Sequence, residues 1–563
     1  MNKSNFRHLV FLLLLCFFLC LHVTVSAEAF MLYVGSAQET TSELSQAGVP
    51  LDSVKLYKRD GKWYLFLPAA WNCDELSVYF TGTETISIAG ASGIENGALT
   101  NAFQPNTKVE VKPKNRGEFI VHVMQSENLP ALFIKTESGN IDAIRDDKTV
   151  REPGYMFMQD ADGTIEYDGK LEHIKTRGNA TFFFVKKPWQ IKLEDGTSLC
   201  GMEKDKKWIL LANYVDKSLV RNSICLDMAK AAGVHVYVPD HHPVDVYINN
   251  AYWGSYLLTE KNEIDKNRLN ITNLEEETEK MNSIPLEELE TFGERLYRIN
   301  GAKGYQVPNE PEDVTGGYLL LADSRVYFAN DPSGFVTSKG QAVTIQSPKY
   351  TSEKQVQYAQ ALMQSVENAL FAPDGIDPVT GKHYTEMLDF TTFVHRYVQA
   401  EVTGEHDGQR PYFYKDSDQV DSMLYCGPVW DLDNTFGAFA SHSSAKRFYI
   451  CNDNSQKYYW FVQAMKRPEF KEAAMRVYNE TYAPMLHVLL GQEKDPKGIL
   501  RSVDEYAAEI AASAEMDNAR WPIEMLRQDN FNQNTGVTPE KNIEYLKRYI
   551  ERRMEFLNTK WGE

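Results

Sequence analysis

The sequence predicts an α+β protein in which a small β-sandwich precedes a larger domain, strands first and helices later. Three patterns lead there. Residues 28–125 hold short segments that alternate apolar and polar side chains around turn formers. From about Leu129 longer strand-like runs surround a single amphipathic helical segment. From about Ser352 to the end, apolar residues recur at three- and four-residue spacing. At 563 residues, 43% hydrophobic and 12% aromatic, the chain is long for one domain and apolar enough to fill more than one core.

The first stretch, MNKSNFRHLVFLLLLCFFLCLHVTVSAEAF, starts basic at Lys3 and Arg7 and is nearly all apolar from Leu9 to Val25. Small residues at Val25, Ser26 and Ala27 complete the pattern of a secretory signal peptide over residues 1–27. A retained anchor is the alternative. No later segment is long and apolar enough to span a bilayer, so a secreted or cell-surface location is expected. Without the leader the chain carries 57 basic against 78 acidic residues, a formal charge of −21. That acidity speaks against nucleic acid or anionic lipid as the main partner. The five remaining cysteines are odd in number and widely spread, with no C-x-x-C pair, so neither a zinc site nor a disulfide scaffold is expected.

Within 28–125, VKLYKRDGKWYLFLP alternates around Asp60-Gly61, a favoured hairpin turn. ELSVYF, TISIAG and GEFIVHV read as further strands. In the larger domain, 126–563, HIKTRG, PWQIKLEDG and WILLANY are strand-like. DKSLVRNSICLDMAKAAGV is helical, with Val220, Ile224, Met228 and Ala231 on one face. Asp216 or Ser218 can cap it and Gly233 end it. VDVYINNAYWGSYLLTE reads as two strands about Asn249-Asn250. Residues 272–315 are acid-rich and read as an insertion with partial helix, after which GGYLLLAD resumes strand character. MLDFTTFVHRYVQAEV is an amphipathic helix running into GEHDGQRPYFY. Residues 352–563 are otherwise mostly helical. Thr538-Pro539 starts a last helix with an apolar stripe of Ile543, Leu546, Ile550, Met554 and Leu557.

Four stretches carry chemistry. In TRGNATFFFVKKPWQIKL, Gly178 lets backbone N–H groups approach an anion between Arg177 and Asn179. Lys186, Lys187 and Lys192 follow; they are solvated strand lysines or, for Lys192 if it points inward, a buried or clefted cation needing a partner. Glu260 and Lys261 close a strand in YLLTEKNE. Asp407, on the loop after the amphipathic helix, can accept a hydroxyl proton or cap a turn. CGPVWDLDNTFG sets Asp431 and Asp433 two apart among apolar neighbours. On an extended strand both would face one side, which suits a hard cation such as Mg²⁺; the alternative is one Asp capping a turn and the other bonded to an arginine.

A glycine turn, a strand lysine, a helix, a strand pair, then a loop Asp and an Asp ahead of Phe-Gly form the order of parts in a protein kinase, hence a two-lobed kinase-like fold. The combination of RGNATFFFVKKPWQIKL, WILLANYVDKSLVRN, VDVYINNAYWGSYLLTEK, GGYLLLAD and GPVWDLDNTFG resembles the spore-coat CotH kinase family from about Leu129 onward. That resemblance implies an atypical kinase using ATP and Mg²⁺ (or Mn²⁺) to phosphorylate Ser or Thr of secreted or coat proteins, with a basic or Ser-rich protein as substrate. It implies Asp407 as catalytic-loop aspartate and Asp431 as metal aspartate. Asp433 would be a second ligand or a structural acid. Lys192, with Lys187 and Lys186 close by, would bind phosphate, Arg177 and Asn179 would lie over the phosphates, and Glu260 would sit beside the adenine. A helix glutamate to pair with Lys192 is missing, Asp227 being the only acid in that helix, and Asp323 is the only acid near GGYLLL. Two other classes compete: a pseudokinase serving as an adhesion or coat-assembly protein, and a glycosidase with Asp431 and Asp433 as its acid pair. The second is disfavoured because such pairs stand roughly 5–9.5 Å apart across a sugar.

Overall fold

The computed structural model describes residues 29–37, 49–293, 296–405, 407–408, 410–451, 459–528 and 536–562. The leader expected over residues 1–27 lies outside the described residues. Two compact units emerge: the described residues up to Leu67 with Trp71–Gln125 and Asn250–Tyr252 form one, and Pro68–Ala70, Ser126–Asn249 and the chain from Trp253 form the other.

The first unit is all β. One sheet has four strands and the other six. The strand Lys108–Pro113 shows why: Val109, Val111 and Pro113 are buried while Lys108, Glu110 and Lys112 are exposed. Asp60 and Gly61 both have positive φ, 49° and 76°, and join Tyr57–Arg59 to Lys62–Leu67 as a hairpin.

In the second unit seven strands close a barrel in the order Ala131–Thr136, Glu152–Gln159, Ile165–Thr176, Trp189–Thr197, Asp205–Leu211, Ala251–Glu260, His241–Ile248. Closure removes the edges that an open sheet would expose. The helix Arg221–Ala232 starts later than the sequence predicts. Its cap position is Val220, which has no side-chain acceptor, while the Asp216 carboxylate accepts from the Arg221 N–H at 2.9 Å. Gly233 ends it with φ +71°.

The acid-rich insertion is only partly an insertion. Its segments Thr291–Gly293 and Ala302–Tyr305 are strands of an antiparallel seven-stranded sheet, which also contains Gly334–Val336, Ala342–Ser347, Tyr318–Asp323, Tyr412–Lys415 and Leu424–Cys426. Tyr412–Lys415 is the strand expected after Asp407, and Leu424–Cys426 interrupts the region expected to be mostly helical. The longest helices of the unit are Glu353–Phe371, Phe390–Thr403, Val503–Arg520 and Pro539–Trp561. A single core joins barrel, sheet and helices, with Ile224, Leu320, Phe393, Leu432, Phe436 and Ile550 all within it. Among the described residues no helix is long and apolar enough to cross a membrane, and the five described cysteines are free thiols.

Candidate active site

Three loops meet at one cleft of about 560 Å³, within the size of small-molecule sites. The first follows the barrel strand Ile165–Thr176 and carries Arg177, Gly178 and Asn179. Gly178 has φ +90°, and a Cβ there would stand 2.1 Å from Thr181 Oγ1, so the tight turn needs glycine. The Arg177 guanidinium lies 5.5 Å from the Trp430 ring centre. That places it beside the third loop.

The second loop follows the helix Phe390–Thr403. Asp389 caps the helix by accepting from Thr392 N–H at 2.7 Å, and Gly404 ends it with φ +60°. Glu405 then takes a bidentate pair from Arg396, at 2.8 and 2.6 Å, both side chains buried. This pins the chain two residues before Asp407. The Asp407 side chain is 46% exposed, lines the cleft and is ion-paired with Arg410.

The third loop holds Asp431 and Asp433. It is not the extended strand that the spacing predicts: Asp431 has φ +65° and Phe436 φ +47°. Leu432 and Phe436 are buried, Leu432 N–H donates to Asn222 Oδ1 at 2.8 Å, and Phe436 N–H donates to Thr403 O at 2.6 Å. With the apolar residues pinned inward, both carboxylates line the cleft. Among the described residues neither is in an ion pair. Asp433 is buried, whereas Asp431 is exposed within the cleft. Loss of surrounding water raises both carboxyls above their usual range: for Asp431, Arg177 opposes the rise, and for Asp433, Asp431 and Asp216 add to it. Such a pair is costly as two bare anions and suits a cation. No group of three or more His, Cys, Asp or Glu forms a cage among the described residues. Two carboxylates fit Mg²⁺, which is usually held by one or two of them plus phosphates.

Sequence reasoning missed Asp323. It ends the strand Tyr318–Asp323 and lines the cleft, and burial pushes its carboxyl up to about 6. Its position after GGYLLL was the only signal.

The lysine and glutamate placements differ from expectation. Trp189, Ile191 and Leu193 are buried, so strand alternation turns Lys192 to the other face, where it pairs with Glu172 at 2.8 Å and does not line the cleft. Lys187 donates to Phe182 O and lies over the Phe182 ring. Lys186 is fully buried and lines a recess contiguous with the cleft. Glu260, also buried, accepts from Arg268 at 2.8 Å and is not among the cleft residues.

The family model described as CotH kinase protein matches residues 174–557, most of the chain. The chain belongs to the CotH kinase protein family. The match includes all three loops of the cleft and starts inside the barrel strand that leads into Arg177. No curated protein matches this CotH chain. Membership implies kinase chemistry in general terms: a phosphate donor, a metal and a protein acceptor.

Proposed function

We propose that this CotH protein is an ATP- and Mg²⁺-dependent (or Mn²⁺-dependent) kinase that phosphorylates Ser or Thr hydroxyls of secreted or surface proteins. One observation carries the reading: a candidate base, Asp407, and an acid pair, Asp431 and Asp433, that has no ion pair among the described residues, line one cleft with Arg177. Asp431 and Asp433 would hold the divalent cation, which neutralises phosphate charge when bound. Arg177 adds fixed positive charge over the phosphates, and the turn at Gly178 and Asn179 brings backbone close to them. Asp407 orients the acceptor hydroxyl and takes its proton. The hydroxyl oxygen bonds to the γ-phosphorus as the bond to the β–γ bridging oxygen breaks, and ADP leaves. Export rests on the leader pattern of residues 1–27.

The Asp407–Arg410 ion pair favours a second reading, a catalytically weak member acting in surface adhesion or coat assembly, because a paired carboxylate is a poorer base. Residues 28–563 incubated with labelled ATP, Mg²⁺ or Mn²⁺, and a basic Ser-rich protein separate the two. The kinase reading expects transfer that falls roughly 10²–10⁴-fold in Asp407→Asn with nucleotide affinity kept. It expects metal-dependent nucleotide binding to be lost in Asp431→Asn. Equal signal in wild type and both variants, or none in any, overturns it.

A further inference from the structure

Lys186 lies just before the barrel strand Trp189–Thr197 and has none of its side chain exposed. Its ammonium donates to Ser255 O at 2.6 Å and to Asp517 Oδ1 at 2.6 Å. It also lies 4.7 Å from the Tyr256 ring centre. Two of its three N–H donors are therefore used, and the third has no acceptor among the described residues. Asp517 belongs to the last turn of the helix Val503–Arg520, more than three hundred residues along the chain. The same Oδ1 accepts from Ser255 N–H at 3.0 Å. The backbone has been shaped to admit this contact. Gly254 has φ +118°, and a Cβ there would stand 2.4 Å from Asp517 Oδ1 and 3.0 Å from Lys186 Cε. Trp521, one turn on, locks the helix end by donating from Nε1 to Trp253 O at 2.6 Å.

Lys186 lines a recess of about 20 Å³ together with Arg177, Asp431 and Asp433, residues that also line the main cleft. The recess has room for one oxygen-sized group. We infer that Lys186 is the lysine that contacts phosphate in the cleft and that Asp517 is its positioning residue, so that the helix Val503–Arg520 completes the nucleotide site. This rests on the kinase reading above. It assigns to a C-terminal helix the acid that no residue of the helix Arg221–Ala232 supplies: Asp227 is occupied with Tyr506 and with His241 at 3.3 Å. An alternative role for the pair is purely structural, and the two make different predictions. Replacing a buried ion pair by apolar residues is often neutral for stability. A phosphate contact cannot be replaced that way.

The test is Lys186→Met/Asp517→Leu in residues 28–563, with binding of ATP, ADP and adenosine by calorimetry in Mg²⁺, phosphotransfer kinetics, and the denaturation midpoint. The expected result is a folded protein that binds adenosine normally, with affinity for ATP and ADP lowered about tenfold to hundredfold, the range of a charge-assisted hydrogen bond. Asp517→Asn alone keeps the shape of the side chain and is expected to raise KM for ATP at least as much as it lowers kcat. Wild-type nucleotide affinity and KM in both variants would overturn the assignment while leaving the kinase reading intact. A wild type that binds no nucleotide would overturn both. If the double variant does not fold, the KM-against-kcat split of Asp517→Asn decides.

Discussion

Arg553→Met probes the connection between the C-terminal helix and the Asp407 loop. The Arg553 side chain is fully buried and faces the equally buried Glu401, with Nη2 to Oε1 at 2.8 Å. It also donates to Val402 O at 3.3 Å, Ala445 O at 3.3 Å and Arg447 O at 2.5 Å, and to Glu401 O. Glu401 in turn accepts from Tyr449 N–H at 2.7 Å and Ile450 N–H at 2.9 Å. Methionine fills much of the volume, so the cavity contribution is small, but the Glu401 carboxylate keeps only its two backbone donors. Removing one partner of a buried pair costs about 3–5 kcal/mol. Chemical denaturation followed by near-ultraviolet circular dichroism should therefore show a loss of that size. Adding Glu401→Gln, which can still accept both N–H groups, should recover on the order of 1–3 kcal/mol through the coupling of neighbouring sites. Because Glu401 lies three residues before the helix-ending Gly404, phosphotransfer should fall as well. A loss under about 1 kcal/mol in Arg553→Met, or a double variant no better than the single, would refute the reasoning.

Lys192→Ala should change stability by less than about 1 kcal/mol and leave KM for ATP unaltered, since its partner Glu172 is on the surface; a rise in KM would return Lys192 to the phosphate site. Acid should weaken the fold through two histidines. Burial, with Arg396 nearby, holds His235 down at about 3, and burial holds His395 at about 4. Both folded values lie below the ordinary 6.5, so the unfolded chain binds the extra protons. Stability is full above about pH 6.5 and falls as pH drops toward those values, by about 1.4 kcal/mol per pH unit for each imidazole. Denaturation midpoints at pH 7.5, 6 and 5 measure the slope, and His235→Asn should flatten it; an unchanged slope would remove His235 from this role.

The sequence by itself determined what depends on local chemistry. Asp60-Gly61 and Asn249-Asn250 are turns because those residues accept positive φ. The helix Phe390–Thr403 follows from its apolar spacing and the Asp389 cap, and Thr538-Pro539 opens the last helix as a side-chain acceptor before a residue with no N–H to satisfy. The motif order was also enough to place the chain in its family. The tertiary structure decided what depends on residues far apart in the chain. Alternation cannot say which face of Trp189–Thr197 turns inward, and barrel closure put Lys192 on the surface. Spacing on a presumed strand could not foresee that Asp431 and Asp433 reach the cleft from an irregular loop held by Leu432 and Phe436. A helix stripe of Leu546, Ile550 and Leu557 marks an apolar face and gives no sign that Arg553 beside it is buried against Glu401. The same holds for Asp517, whose carboxylate meets Lys186 only because the fold brings them together across 331 positions. Charges are placed inside a protein by partners distant in sequence, and no local pattern records those partners.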